Sequence, residues 1–140
     1  MWNVILIVAL VISGLALAGI LIDGPGRREI AGLSFPSINF KKLHDGTYIG
    51  DYKGTKSHLR DAQVKVTITS GEISDIEILK GAVDKEGQPL KIKAGKSIED
   101  LFNEVVESES LQVDVISGAT LTSKTHLKAL ENALEQAKVN

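Results

Sequence analysis

The pattern of apolar and polar residues separates the chain into an uncharged opening and a patterned remainder. Residues 4–22 (VILIVALVISGLALAGILI) carry no charged side chain. A helix rises about 1.5 Å per residue, so a helix over this run covers roughly 28 Å, close to the hydrocarbon thickness of a bilayer. The pattern therefore predicts one N-terminal transmembrane anchor within residues 1–22.

A cleaved signal peptide is the alternative interpretation of this opening. The segment Ala16-Leu17-Ala18 has the small-x-small form of a cleavage site. However, no basic residue precedes the apolar run and the run continues past Ala18, which favours a retained anchor. Arg27 and Arg28 follow the run closely, and by the positive-inside rule they favour a cytoplasmic C-terminal domain.

Residues 23–43 contain glycines, prolines and little periodicity. This composition predicts a juxtamembrane linker, docked in part through Phe35, Ile38 and Phe40. The periodic remainder, residues 44–140, is predicted to form a single domain.

The first half of that domain has the period-2 pattern of β-strands. Residues 46–54 read as a short extended segment, and residues 62–69 (AQVKVTIT) alternate strictly between apolar and polar. After a Ser-Gly turn at residues 70–71, the chain is predicted to run back as a further strand over residues 72–79. Because Ile73 is out of phase with the isoleucines that follow it, a bulge is predicted near Ser74–Asp75.

The second half has helical patterns. After a loop over residues 80–96, Ser97 and Asp100 have the capping-box form of a helix start. An apolar stripe with helical spacing follows it: Ile98, Leu101, Phe102, Val105 and Val106. Alternation over residues 111–115 predicts a short strand, and a second stripe predicts a C-terminal helix: Leu127, Leu130, Leu134 and Ala137. The domain is therefore predicted to be α+β, with an antiparallel sheet and two covering helices.

Composition narrows the chemistry. The chain has 16 Lys and Arg against 18 Asp and Glu, no basic cluster and no cysteine. It therefore carries no signal for nucleic acid, and disulfides, thiolate metal sites and thiol redox chemistry are excluded.

The three histidines, His44, His58 and His126, lack metal-ligand spacing. We therefore predict solvated or cap-like roles for them, and no metal site. Asp114, Ser117 and His126 supply the residue types of a hydrolase triad, but no nucleophile elbow is present and no catalytic residue is predicted.

Residues 114–123 (DVISGATLTS) place small and hydroxyl residues between a strand and the final helix. Gly118 can supply a tight turn, and Thr122 or Ser123 can cap the helix. Thr120 would then lie just ahead of the helix N-terminus, where free amides and the helix dipole favour an anion. The residues alone leave two interpretations open, a plain turn with a cap and a site for phosphate.

The segment 114–120 fits the pattern D-x-x-[S/T]-G-A-[S/T]. Through this motif the chain resembles the FMN-binding domain of the flavin-carrying small subunits of the sodium-pumping NADH:quinone reductase and the Rnf complex. Three further segments agree with that family in order, at residues 45–54, 64–79 and 121–134. In the family, a flavin transferase that uses FAD joins FMN through its phosphate to the last motif residue. The resemblance therefore implies covalent FMN as a phosphoester at Thr120.

The same resemblance assigns roles to the neighbouring residues. Gly118 and Ala119 would leave room for the transferase and the cofactor, while Asp114 and Ser117 would shape the turn or assist transfer. The other cofactor-binding residues that it implies are Leu121, Thr122, Ser123, Tyr48 and Tyr52. Both tyrosines have an alternative role in core packing, since aromatic faces suit either a flavin ring or a core.

The implied function is that of a membrane-anchored flavoprotein that relays electrons between donor and acceptor proteins or membrane carriers, as a carrier or subunit rather than an enzyme by itself. Flavinylation in this family implies an extracytoplasmic domain, against the charge bias of Arg27 and Arg28. The alternative is a membrane-tethered accessory module of a redox complex that binds FMN reversibly or not at all.

Overall fold

The computed structural model describes residues 3–5, 7–9, 24–93, 95–116 and 118–139. Residues 3–5 and 7–9 are helical and exposed. Within the described ranges, no helix is both long and apolar enough to cross a bilayer. Most of the predicted anchor, residues 4–22, lies outside the described residues, so the anchor stays a prediction.

Residues 24–31, in the segment that was predicted to be a linker, are helical, and we call them α1. The glycines and the proline of this segment leave no helical period in the sequence, so the helix was not predicted. Gly32 follows the last helical residue. Beyond α1 the chain docks through the residues predicted to do so, which are buried or partly buried: Phe35, Ile38 and Phe40.

A three-stranded antiparallel sheet lies at the centre of the domain, in the order β1-β2-β3. The strands are β1 (Gly46–Tyr52), β2 (Ala62–Thr69) and β3 (Glu72–Lys80). The bounds of β2 are those predicted, and its alternation buries Val64 and Val66 completely.

The predicted bulge lies at Ser74. The pairing of β2 with β3 shifts register between Thr67 and Ile68, which leaves Ser74 without a partner opposite. Because of this extra residue, Ile73 and Ile76 both pack against the core although they are out of phase in the sequence.

The segment between β3 and the next helix contains a small hairpin of β4 (Lys91–Lys93) and β5 (Lys96–Ser97). The loop prediction is therefore wrong at this hairpin, since such short strands show no period in the sequence. Helix α2 (Ile98–Ser108) begins at the predicted capping box. The Ser97 N–H donates to the Asp100 carboxylate at 2.8 Å, and the Ser97 hydroxyl accepts from the Asp100 N–H at 3.4 Å.

Residues 111–115 do not form the predicted strand. Their alternation is real, because Leu111 is buried and Gln112 is exposed. A strand also needs a backbone partner, and no backbone pairing of this segment with a strand is found among the described residues. The segment is held by side chains instead, as when the Gln112 amide donates to the Phe35 carbonyl at 3.2 Å. Alternation shows which residues face the core, but it does not show that the backbone pairs with another strand. The prediction of a strand over residues 111–115 was therefore wrong.

Helix α3 (Thr120–Ala137) packs across β1 and β2. Its predicted apolar stripe is buried: Leu127, Leu130, Leu134 and Ala137. Gly50 on β1 allows the helix backbone to approach, because a Cβ at that position would overlap the Ala129 carbonyl oxygen and the Ala133 amide nitrogen. The fold is thus α+β with an antiparallel sheet and helices, as predicted.

Candidate functional site

A tight turn leads from the irregular segment 111–116 into α3. The Ala119 N–H donates to the Ile116 carbonyl at 2.9 Å, and Gly118, the third residue of this turn, has a φ of 80°. That left-handed value suits glycine because a Cβ would be strained there. The predicted turn role of Gly118 is therefore confirmed, whereas Ser117 lies outside the described residues.

The helix begins earlier than the sequence pattern indicated. Thr120 is its first residue, and Ala119 is the N-cap, without a side-chain hydrogen bond. The prediction that Thr122 or Ser123 caps the helix was wrong, because both lie within the first turns. The turn at Gly118 has already reversed the chain, and the Ser123 N–H donates to the Ala119 carbonyl at 2.9 Å in the helical pattern.

Ser123 instead fixes the turn to the helix. Its side chain is fully buried. The hydroxyl donates to the Ala119 carbonyl at 2.7 Å and accepts the Ile116 N–H at 3.2 Å. One buried hydroxyl therefore connects both ends of the turn that precedes Thr120.

The helix start is suited to an anion. An α-helix leaves its first amides without intrahelical partners, and its dipole is positive at this end. No acidic residue lies in the first turn of α3, and Thr120 is exposed. Gly118 is exposed as well, but Ala119 is buried, so clearance around Thr120 is provided on the Gly118 side. Asp114 is exposed, and Leu121 and Thr122 are partly buried.

The two tyrosines lie on β1, away from this turn in the sequence. Tyr48 donates its hydroxyl hydrogen to the His44 carbonyl at 3.0 Å and packs against the core. Tyr52 is buried, and this burial, together with the nearby Glu29 carboxylate, raises its pKa above the usual value. Both tyrosines therefore pack against the core, and their role beside a flavin ring stays a prediction.

A cavity of about 420 Å³ lies beside the first turns of α3. Small-molecule sites typically measure roughly 300–1,000 Å³ and combine apolar walls with a few polar groups. We call it the α3 cavity. Its lining comes from the segment before β2, the segment after β3, the start of the β4–β5 hairpin and helix α3: Leu59–Asp61, Gly81–Ala82, Leu90–Ile92, Thr122, Thr125 and His126. The lining begins at Thr122, two residues beyond Thr120, and has aliphatic walls with cations from Arg60 and Lys91.

His126 is buried in the wall of the α3 cavity, so the prediction of a solvated or cap-like histidine was wrong for this residue. Its Nε2 accepts the Ala82 N–H at 3.0 Å, and its Nδ1 lies 2.7 Å from the Thr122 carbonyl oxygen. An acceptor at Nε2 and a donor at Nδ1 define the neutral imidazole with its proton on Nδ1. Burial lowers the pKa of His126 below its usual value, although the hydrogen bond to Thr122 opposes this shift.

The carboxylate in the α3 cavity is Asp61. Burial raises the pKa of Asp61, but hydrogen bonds from the Gly54 N–H and from the His58 ring, each at 2.9 Å, outweigh burial and leave the pKa below its usual value. Both carboxylate oxygens of Asp61 therefore already accept a hydrogen bond.

A second cavity of about 250 Å³ adjoins the turn. Its charged lining residues are three carboxylates, Asp100, Glu104 and Asp114, and one cation, Lys96. The excess of negative charge disfavours a phosphate there.

The α3 cavity was not predictable from the sequence pattern. Its walls come from residues far apart in the chain, for example Ala82 and His126. One local signal was present: His126 lies four residues before Leu130, in line with the buried stripe of α3, where a solvated side chain is not expected.

The fold and the site define a small α+β domain with a hydroxyl at a helix start and a neighbouring cavity. The chain matches the FMN-binding domain family over residues 59–135, more than half of its 140 residues, and it belongs to that family. It is also 29% identical over 99 residues to NADH:acrylate oxidoreductase from Vibrio harveyi. This alignment covers 71% of the chain but 9% of that relative, so the chain spans a small part of the relative's length.

Proposed function

We propose that the protein is a membrane-anchored flavoprotein that carries FMN covalently at Thr120 and relays electrons between partner redox proteins or membrane carriers. The observation that carries the proposal is the position of Thr120 in a member of the FMN-binding domain family. Its hydroxyl belongs to an exposed residue at the first position of α3, directly after the turn at Gly118. A phosphoester there lies at the positive end of the helix dipole.

The residues present fit such a cofactor. Thr120 Oγ would form the bond to phosphorus while the pyrophosphate of FAD breaks, so that AMP leaves and the hydroxyl proton is lost. The ribityl chain separates phosphate and ring, so the ring can occupy the α3 cavity even though Thr120 itself is not among its lining residues. Arg60 and Lys91 add positive charge beside an anionic cofactor. When bound, FMN supplies the redox chemistry, and the chain supplies attachment and position.

The partners follow from this chemistry. The chain needs a flavin transferase to install FMN, and a carrier with one redox centre needs a separate donor and acceptor. The Vibrio harveyi relative is a NADH:acrylate oxidoreductase, and this similarity supports a place for the chain in redox chemistry. Residues 4–22 support a membrane anchor. The proposed extracytoplasmic placement follows from the resemblance to flavinylated domains of the family.

Attachment is tested on the full-length chain produced with a flavin transferase. After denaturing electrophoresis, the band is expected to fluoresce as flavin, and the intact mass is expected to rise by one FMN less one water. Thr120→Ala should abolish both signals, and Thr120→Ser should retain them because it keeps a hydroxyl. Thr47→Ala, which changes another exposed threonine, is the matched control.

The outcomes separate the alternatives. A Thr120→Ala band that still fluoresces contradicts attachment at Thr120. Flavin that leaves the native chain on denaturation favours the accessory module that binds FMN reversibly. Sidedness is tested with Leu59→Cys, since Leu59 is 72% exposed and the chain has no other cysteine. Labelling of intact cells by an impermeant thiol reagent is expected, and labelling only after permeabilisation contradicts the extracytoplasmic placement.

A further inference from the structure

The contact between His126 and the Gly81–Ala82 segment joins two distant parts of the chain. Gly81 has a φ of 130°, and a Cβ on it would overlap the His126 imidazole. The peptide that follows donates its Ala82 N–H to Nε2 at 3.0 Å. Both Gly81 and Ala82 line the α3 cavity, so His126 holds one wall of that cavity in place.

This contact depends on the protonation state of the imidazole. Nε2 can accept the Ala82 N–H only while it carries no proton, and the Nδ1 proton is directed to the Thr122 carbonyl. A protonated imidazole places two donors, Nε2–H and the Ala82 N–H, face to face. Among the described residues, the Ala82 N–H makes no hydrogen bond other than the one to His126.

We propose that His126 is a positioning residue for the flavin: in its neutral form it holds the Gly81–Ala82 wall closed against the ring in the α3 cavity, and protonation releases that wall. The inference rests on the proposed function for the presence of the ring. The hydrogen bond between the Ala82 N–H and His126 is present in the structure and does not depend on the proposed function.

Burial favours the neutral form of His126, and its hydrogen bond to the Thr122 carbonyl opposes this effect. The charged residues that line the cavity with it are Arg60, which precedes β2, Lys91, which begins β4, and Asp61. Asp61 is the carboxylate of the cavity, and its two acceptor interactions go to Gly54 and His58 rather than to His126.

Two readouts test the proposal on the full-length, flavin-loaded chain in detergent. The first is the hydrogen-exchange protection factor of the Ala82 amide, which needs no flavin. The second is the Stern–Volmer constant for quenching of flavin fluorescence by iodide, which reports exposure of the ring. Both are measured from about pH 8 to about pH 5, the range in which a histidine changes charge.

In the wild-type chain, the protection of Ala82 is expected to fall about tenfold toward acid pH, the factor for one net hydrogen bond. Iodide quenching is expected to rise over the same range. His126→Gln keeps a carbonyl oxygen near the Nε2 position but cannot titrate, so it should hold protection high and quenching low at every pH. His126→Phe should show low protection and strong quenching throughout. His44→Gln, at an exposed histidine that is not among the lining residues of the cavity, should retain the wild-type response.

Unchanged protection and quenching across this pH range in the wild-type chain would overturn the proposal, even if His126→Phe fails to fold. A response that persists in His126→Gln would overturn it as well. If Ala82 responds as expected but the intact mass shows no flavin, the proposed function fails and with it the positioning of the ring, while the contact between His126 and Ala82 stands. If flavin is attached and iodide quenching does not follow Ala82 protection, the positioning role alone is refuted.

Discussion

At the scale of single residues, His126 predicts a dependence of stability on pH. The pKa of His126 in the fold is below its usual value of 6.5, so between the two values the unfolded chain binds more protons than the folded chain. The contribution of His126 is complete above 6.5 and is lost as the pH falls from there to the pKa of the folded state. In that window we expect the free energy of unfolding to fall with a slope that approaches about 1.4 kcal/mol per pH unit.

Urea unfolding of the wild-type chain and of His126→Gln at a series of pH values checks this slope. Carboxylates change stability in both proteins, so the difference between the two curves isolates the histidine. A constant difference from about pH 8 to about pH 5 would contradict the assignment of His126 as a buried neutral imidazole.

Ser123 carries the second prediction at this scale. Ser123→Ala removes the acceptor of the Ile116 N–H and leaves that amide buried without a partner. We expect a loss of about 1–3 kcal/mol in the free energy of unfolding, together with less FMN attached at Thr120, because the turn before Thr120 is no longer fixed. Urea unfolding and intact mass measure the two effects.

Ser108→Ala is the matched control for this change. Ser108 on α2 makes the same kind of bond, with its hydroxyl donating to the Glu104 carbonyl four residues earlier at 2.7 Å, but it is exposed. Its replacement is expected to change stability by less than about 0.5 kcal/mol. Equal effects at the two serines would contradict a special role for the bond to Ile116.

At the scale of elements, the approach of α3 to β1 depends on Gly50. A Cβ at position 50 meets the backbone of Ala129 and Ala133 rather than a flexible side chain, so the helix itself must shift. We expect Gly50→Ala to cost about 1–3 kcal/mol or more, the range for overpacked cores. Gly24→Ala is the control, since its added Cβ would meet no atom of the described residues within 4 Å. Equal urea midpoints for the two variants would contradict this account of the packing.

The elements also indicate how far the sequence determines the fold. Strand β2 and the capping box of α2 were predictable because alternation and caps are local properties of the chain. The structure of residues 111–115 was not predictable, because alternation shows which side chains are buried but does not identify a strand that pairs with the backbone. The same distinction applies to the site. Gly118 and Thr120 were predictable from a local motif, whereas His126 depends on an amide 44 residues away.

At the scale of the whole molecule, the packed unit extends beyond the family match. The FMN-binding domain match begins at residue 59, but β1 pairs along β2 and α1 is fixed to the domain. The Glu29 carboxylate accepts the amides of Thr55 and Lys56 at 3.0 Å, and the Lys124 ammonium group donates to the Ala31 carbonyl at the end of α1 at 3.0 Å. These contacts connect the segment that follows the predicted anchor to the helix that carries Thr120.

This packing predicts that a fragment of residues 24–140 is more stable than one of residues 44–140. The shorter fragment loses Ile30, Ile38 and Phe40, which are 3%, 8% and 6% exposed in the complete fold. At roughly 1.5–3 kcal/mol for each large buried side chain, the loss amounts to several kcal/mol. Urea unfolding of the two fragments measures it. Equal midpoints would mean that the segment before residue 44 adds no stability. Residues 23–43 would then act only as the predicted linker.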